Sequence, residues 1–191
     1  MARNQTAFIT FSMVDGTSNE KKLIQDAVRG MSSAFGSLYD RYQPMIYRFV
    51  FVKVGRREDA EDLTHQVFIS AWTNIRSYKD LGHPFSSWLY KIARNQIIDH
   101  YRARRNETSL DEMDPENFVE AAAAEAGTAT KMEVEKVRRA IKALKPDYQD
   151  VIIMRFVEDL PLKEVAKAMD RTEGAIKLMQ HRAIKELKKL L

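Results

Sequence analysis

Residues 160–182 read LPLKEVAKAMDRTEGAIKLMQHR. Two short helices that cross tightly need a small residue inside the first, and Ala166 supplies it. Four residues later the chain needs a side chain that tolerates a left-handed backbone, a role open to Asp170. Six further on, a β-branched residue should plug the core, and Ile176 stands there. Val165, Met169 and Met179 fill the remaining inward positions. Pro161 suits the first turn of the first helix, and Thr172 is a sound N-cap for the second. These spacings together specify a helix-turn-helix.

In such a motif the second helix enters the major groove, with its N-terminal outward side chains facing base edges. Those side chains are Thr172, Glu173, Lys177, Leu178 and His181, and Gly174 lets the backbone approach closely. Arg171, Arg182, Lys185 and Lys188 then lie beside phosphates, where they position the helix without reading sequence. The alternative is a structural hairpin with a lysine-rich solvated face. Agreement of the small-residue and turn spacings favours the DNA reader.

Upstream of this motif the apolar rhythm is helical almost throughout. From Ser33, the side chains Phe35, Leu38, Tyr39, Tyr42, Ile46 and Phe49 share one face, and Pro44 is expected to kink or split that helix. Ala60, Leu63, Val67, Phe68, Ala71, Trp72 and Ile75 follow at three-and-four spacing, with Asp59, Glu61 and Asp62 near the start, where the helix dipole favours anions. A loop runs from Arg76 to Pro84. A third helix buries Phe85, Trp88, Leu89, Ile92 and Ala93 and continues to Tyr101. Val134, Val137, Ile141 and Leu144 make a further amphipathic helix that stops near Pro146. Val151–Met154 is apolar all round, so its period does not separate helix from strand; Asp147 as a cap and the helical neighbours favour helix. The expectation is an all-α chain of two small helical domains, 20–105 and 131–191, with a polar tail over 1–19 and an acidic linker over 106–130.

Charge follows the same division. Residues 20–105 carry fifteen basic and nine acidic side chains, 106–130 carry seven acidic and none basic, and 131–191 carry fifteen basic and ten acidic. Two basic blocks separated by an acidic segment suit two surfaces that meet a polyanion. Cysteine is absent, which excludes disulfides, thiol catalysis and cysteine-ligated metals. The four histidines stand apart, in no metal-binding spacing, and no nucleophile–base constellation or phosphate-cradling glycine loop is present. No cofactor and no catalysis are expected. With no apolar run near the ~20 residues of a membrane span and no signal-peptide pattern, the expected compartment is the cytoplasm.

The stretch Asp59-Ala60-Glu61-Asp62-Leu63-Thr64-His65-Gln66-Val67-Phe68-Ile69-Ser70-Ala71-Trp72 closely resembles the second conserved region of the extracytoplasmic-function (ECF) sigma factors, within the sigma-70 family. Phe85 to Asn95, with Asp99 and Arg102, is similar to their next region, and Leu160–Ala166 with Thr172–Lys177 and His181–Ala183 to their fourth domain. The resemblance implies a protein that brings bacterial RNA polymerase core to promoter DNA. It implies that Asp59, Glu61, Asp62 and Gln66 dock on the clamp helices of the largest subunit, and that the fourth domain meets the flap. His65-Gln66 stands where the family carries Gln-Glu, so one expected charge pair is missing. It further implies that the loop 77–83 traps a flipped base of the −10 element. Tyr78, Lys79, Lys91, Asn95, Asp99 and Arg102 would line that surface, with Trp88 in the core, while the second helix of the motif reads the −35 element. The linker would thread the polymerase interior. An anti-sigma factor is an expected partner, and strand opening would draw on binding free energy alone.

Two other readings use the same DNA-binding tail. A conventional regulator would bind duplex DNA alone through an N-terminal ligand or dimerisation domain, for which βαβ patterning is absent. A site-specific recombinase would need a catalytic domain with a nucleophilic Ser or Tyr.

Overall fold

The computed structural model describes residues 14–80, 82–107 and 131–191, and among these no strand occurs. The expected tail up to residue 13 and the linker over 108–130 lie outside the described residues. Four helices form a first unit: α1 (Val14–Val28), α2 (Ser32–Val54), α3 (Arg57–Asn74), closed by a 3₁₀ turn at Ile75–Ser77, and α4 (Phe85–Glu107). A second unit holds α5 (Lys131–Ala143), α6 (Pro146–Ile152) running into a π-turn at Ile153–Val157, α7 (Leu162–Ala168) and α8 (Glu173–Leu190). No helix of the described residues is long and apolar enough to cross a membrane.

Helix α1 begins at Val14, inside the stretch expected to be a tail. Its residues Leu23, Ile24, Ala27 and Val28 recur at helical spacing and pack on the core, and Glu20 accepts hydrogen bonds from Tyr42 Oη (2.7 Å) and Arg41 Nη1 (3.0 Å). Pro44 does not split α2, which is helical from Ser32 to Val54. Pro44 and Asp40 are both exposed, so water can serve the carbonyl that the missing N–H leaves open. The inward face of α2 is the expected one, with Leu38, Ile46, Phe49 and Val50 fully buried against α3 and α4. Trp72 departs from the expected stripe: it is 38% exposed and leans on Phe35 at a ring distance of 4.9 Å. Val151–Met154 is buried on every side, as an all-apolar run requires. Asp147 is not the cap of α6. Lys145 holds that position with Pro146 at the first turn, and Asp147 points toward α4 instead.

The two units pack together through α4 against α7 and the end of α2 against the α6 segment. Charged side chains mark this seam. Lys53 Nζ lies 2.7 Å from Asp150 Oδ1, both almost fully buried, and donates to the Pro146 carbonyl at 3.3 Å. Arg94 reaches the other oxygen of Asp150 at 2.7 Å and Asp147 at 3.1 Å. A second cluster centres on Glu158, whose carboxylate accepts two hydrogen bonds from Arg48 (2.7 and 2.9 Å) and one from Tyr90 (3.3 Å). Burial, and then the nearby Glu158 carboxylate, push the Tyr90 phenol well above its ordinary range. Gly55 ends α2 with φ +79°, and a Cβ there would stand 2.3 Å from Lys142 Nζ. The left-handed backbone favours glycine here, whereas the contact is with the tip of a flexible lysine that can move aside.

Candidate nucleic-acid interface

The turn between α7 and α8 is built as its spacing requires. Asp170 adopts φ +55°, Arg171 N donates to Ala166 O (2.8 Å), and Asp170 N donates to Lys167 O (3.3 Å). This is the Schellman arrangement, which satisfies the last carbonyls of α7. Thr172 caps α8, its Oγ1 accepting from Ala175 N at 3.2 Å. Ile176 and Val165 are fully buried, and Ala166 and Met169 nearly so, fixing the crossing of the two helices. Pro161 stands one position before the first residue of α7. Replacing Thr172 by Ala should cost about 1 kcal/mol of stability, read as a lower melting temperature, because the Ala175 donor then loses its partner.

With that core filled, the other face of α8 is open. Arg171, Thr172, Glu173, Lys177, Leu178, His181, Arg182 and Lys185 are all exposed. Leu178 is an apolar member of the set, suited to a thymine methyl. Arg171 stands 4.0 Å from Asp147 and is otherwise solvated.

The first unit carries a second exposed row, on α4. Lys91, Asn95, Asp99 and Arg102 recur at three-or-four spacing, and all four are exposed. Asp99 and Arg102 lie 3.5 Å apart, while Lys91 Nζ crosses to the second unit and holds Asp170 Oδ2 at 2.9 Å. That ammonium keeps the Asp170 carboxyl below the usual carboxylate range. At the head of α4, Tyr78 is half-buried and lies against Phe85 (5.2 Å) and Trp88 (5.1 Å). Burial, followed by the charges of Asp80 and Glu20, pushes its phenol up to about 12. Trp88 is partly buried and packs against the core, as expected of it, in ring contact with Phe85 and Tyr78. Lys79 is exposed on the loop.

The acids of α3 divide. Glu61, Asp62 and Gln66 are exposed, Glu61 accepting from Arg57 Nε at 2.8 Å. Asp59 turns instead toward α4, where Arg104 Nη1 donates to it at 3.0 Å and His100 lies 3.9 Å away. It serves the joint between α3 and α4 and is withdrawn from the outward face. The residues that sequence reasoning missed are those of the seam. Lys53 interrupts the apolar run Phe49–Val54 four residues after Phe49, on the inward side of α2, and that interruption was the available signal.

The matches to known proteins agree with this anatomy. Residues 38–107 match the family model of sigma-70 region 2, and residues 134–187 match that of sigma-70 region 4, together more than half of the chain. The chain is 36% identical over 172 residues to the ECF RNA polymerase sigma factor BldN of Streptomyces coelicolor, spanning 89% of this chain and 65% of that protein. It is 28% identical to the ECF RNA polymerase sigma factor SigW of Bacillus subtilis, over 90% of this chain and 96% of that one. The fold is similar to that of CnrH, solved with the cytosolic domain of CnrY (TM-score 0.69, 22% identity, 90% and 96% of the two chains). It is also similar to that of the sigma factor RpoE, solved with the anti-sigma factor NepR from Bartonella quintana (TM-score 0.65, 21% identity, 82% and 95%). Matched to regions 2 and 4 in that order, the two helical units define a member of the sigma class. The chain belongs to the sigma-70 family, in its ECF group.

Proposed function

We propose that the chain binds bacterial RNA polymerase core and directs it to promoters, reading the −35 element with α8 and the −10 element with α4 and the loop before it. The division of labour follows the two units: residues 20–105 for core binding, −10 reading and strand opening, 106–130 as linker, and 131–191 for −35 reading. The observation that carries this reading is the pair of exposed rows on α4 and α8, each mixing cations with base-reading amides, hydroxyls or carboxylates. Glu61, Asp62 and Gln66 form the surface offered to the clamp helices of the largest subunit, and the second unit meets the flap. The family consists of sigma factors, which are not enzymes in general, and the described residues hold no group of three or more potential metal ligands. An anti-sigma factor is a further proposed partner, and the proposed compartment is the cytoplasm.

Run-off transcription with core polymerase on genomic promoter fragments tests the reading. The chain should co-elute with core and yield defined transcripts that core alone does not make. Replacing Asp62 and Gln66 together by Ala should weaken co-elution while leaving the melting temperature unchanged. Tight duplex binding without any association with polymerase would return the chain to the class of conventional regulators.

A further inference from the structure

The carboxylates that meet at the seam are matched to cations with one exception among the described residues. Asp150 has Lys53 and Arg94, Glu158 has Arg48, and Asp170 has Lys91. Glu164, in the first turn of α7, makes no ion pair with a described residue. The hydrogen bond its carboxylate accepts comes from the hydroxyl of Ser86 on α4, at 3.1 Å. Ser86 is buried, so the contact lies inside the joint. From the first unit Glu164 also feels Glu20 of α1, whose own charge is met by Arg41. The phenols of Tyr42 on α2 and Tyr90 on α4 feel the charge of Glu164 in turn, after burial and the nearer Glu20 or Glu158. On its own helix Lys163 and Lys167 are the neighbouring cations in sequence, and neither pairs with it. Burial raises the Glu164 carboxyl above the usual glutamate range; the Ser86 hydroxyl draws it back in part, and Glu20 raises it further.

We propose that Glu164 is a proton-operated catch between the two units, which closes the seam more firmly as the pH falls from neutrality. With the units apart, water reaches the carboxylate and its charge is tolerated. When they meet, protein replaces part of that water and supplies one hydroxyl but no cation. The dipole of α7 favours the anion in both arrangements, so it does not set the difference. A carboxyl raised on closing takes up a proton as the units meet. Its contribution to closure is therefore present in acid and is lost as the pH rises through the raised value. The paired carboxylates act in the other sense, because protonating Asp150, Glu158 or Asp170 removes an ion pair that spans the joint. The sign of the response thus tells which group is acting. The device lies in the packing of the chain itself and needs neither polymerase nor promoter, so it goes beyond the function proposed above. Lys91 is tied to Asp170 across the same joint, and firmer closing withdraws that cation from the exposed row on α4.

Cysteine is absent from the chain, so Ser33→Cys on α2 and Lys189→Cys on α8, both at exposed positions, put one fluorophore on each unit of the full chain. The urea concentration at which energy transfer between them is half lost measures how firmly the units are held, and it is read at about pH 7.5 and about pH 5.5. Glu164→Gln keeps the size of the side chain and an oxygen that can accept from Ser86. It should raise the midpoint at the higher pH, and it should move the acid response toward lower urea, because the variant no longer gains from a proton. In a Glu20→Gln background the same substitution should change the response less, since part of the cause sits on the other unit. An equal acid response with and without Glu164→Gln would overturn the proposal, whatever its sign. So would a lower midpoint for the variant at the higher pH. An effect of Glu164→Gln that is as large with Glu20 replaced as with it present would confine Glu164 to its own unit and overturn the catch.

Discussion

Replacing Asp150 by Ala should release the two units from one another. The change leaves Lys53, buried at 6% exposure, with only the Pro146 carbonyl, and strips Arg94 of its closer carboxylate. Removing one partner of a buried ion pair costs about 3–5 kcal/mol, most of it the penalty of leaving the other charge dry. At this seam the chain has an escape that a single core lacks, because parting the units lets water reach Lys53. The expected result is a larger radius of gyration in small-angle scattering and the loss of one cooperative transition common to both units. Each unit should keep its helical signal. Joint replacement of Lys53 and Arg94 by Met and of Asp150 by Leu should restore the compact form, since apolar side chains of similar volume can stand in for a buried ion cluster. An unchanged radius and melting curve for Asp150→Ala would show that the seam is held by other contacts.

The second large effect concerns promoter reading. Asn95 and Lys177 stand in the exposed rows of α4 and α8, where neither side chain makes a hydrogen bond or ion pair with another described residue. Truncating either to Ala should therefore spare stability and reduce specific run-off transcript. A lost base contact costs about 1–3 kcal/mol, or roughly 5- to 150-fold in occupancy. The two losses should differ in kind. Asn95→Ala should be relieved on a template pre-melted across the −10 element only if its part is in opening the duplex. Lys177→Ala should be indifferent to pre-melting and sensitive to substitutions in the −35 element. Transcript levels equal to those of the unaltered chain would remove these residues from the DNA surface.

Much of the molecule was legible in the sequence, for identifiable reasons. The helix-turn-helix depends on local demands, and Ala166, Asp170, Thr172 and Ile176 each meet one that only a few residue types can meet. The outward rows on α4 and α8 follow from the same periodicity that sets the core. What periodicity could not reveal was the relation between distant segments. Lys53 reads as an accident in an apolar run until Asp150, ninety-seven residues away, is placed beside it. Asp59 reads as one more surface acid until Arg104 arrives from α4. Pro44 reads as a break because the lost N–H and the ring clash are local rules, whereas the packing that holds α2 continuous on its other face is tertiary.

The seam between the units has one further consequence, for how the molecule comes apart and closes again. Its apolar part, continuous with the cores of both units, drives the joint shut. The ions of Lys53, Arg94, Arg48, Asp150 and Glu158 decide how it shuts, because a register that leaves any of them buried without its counterpart is penalised. Such a hasp closes only on its own staple.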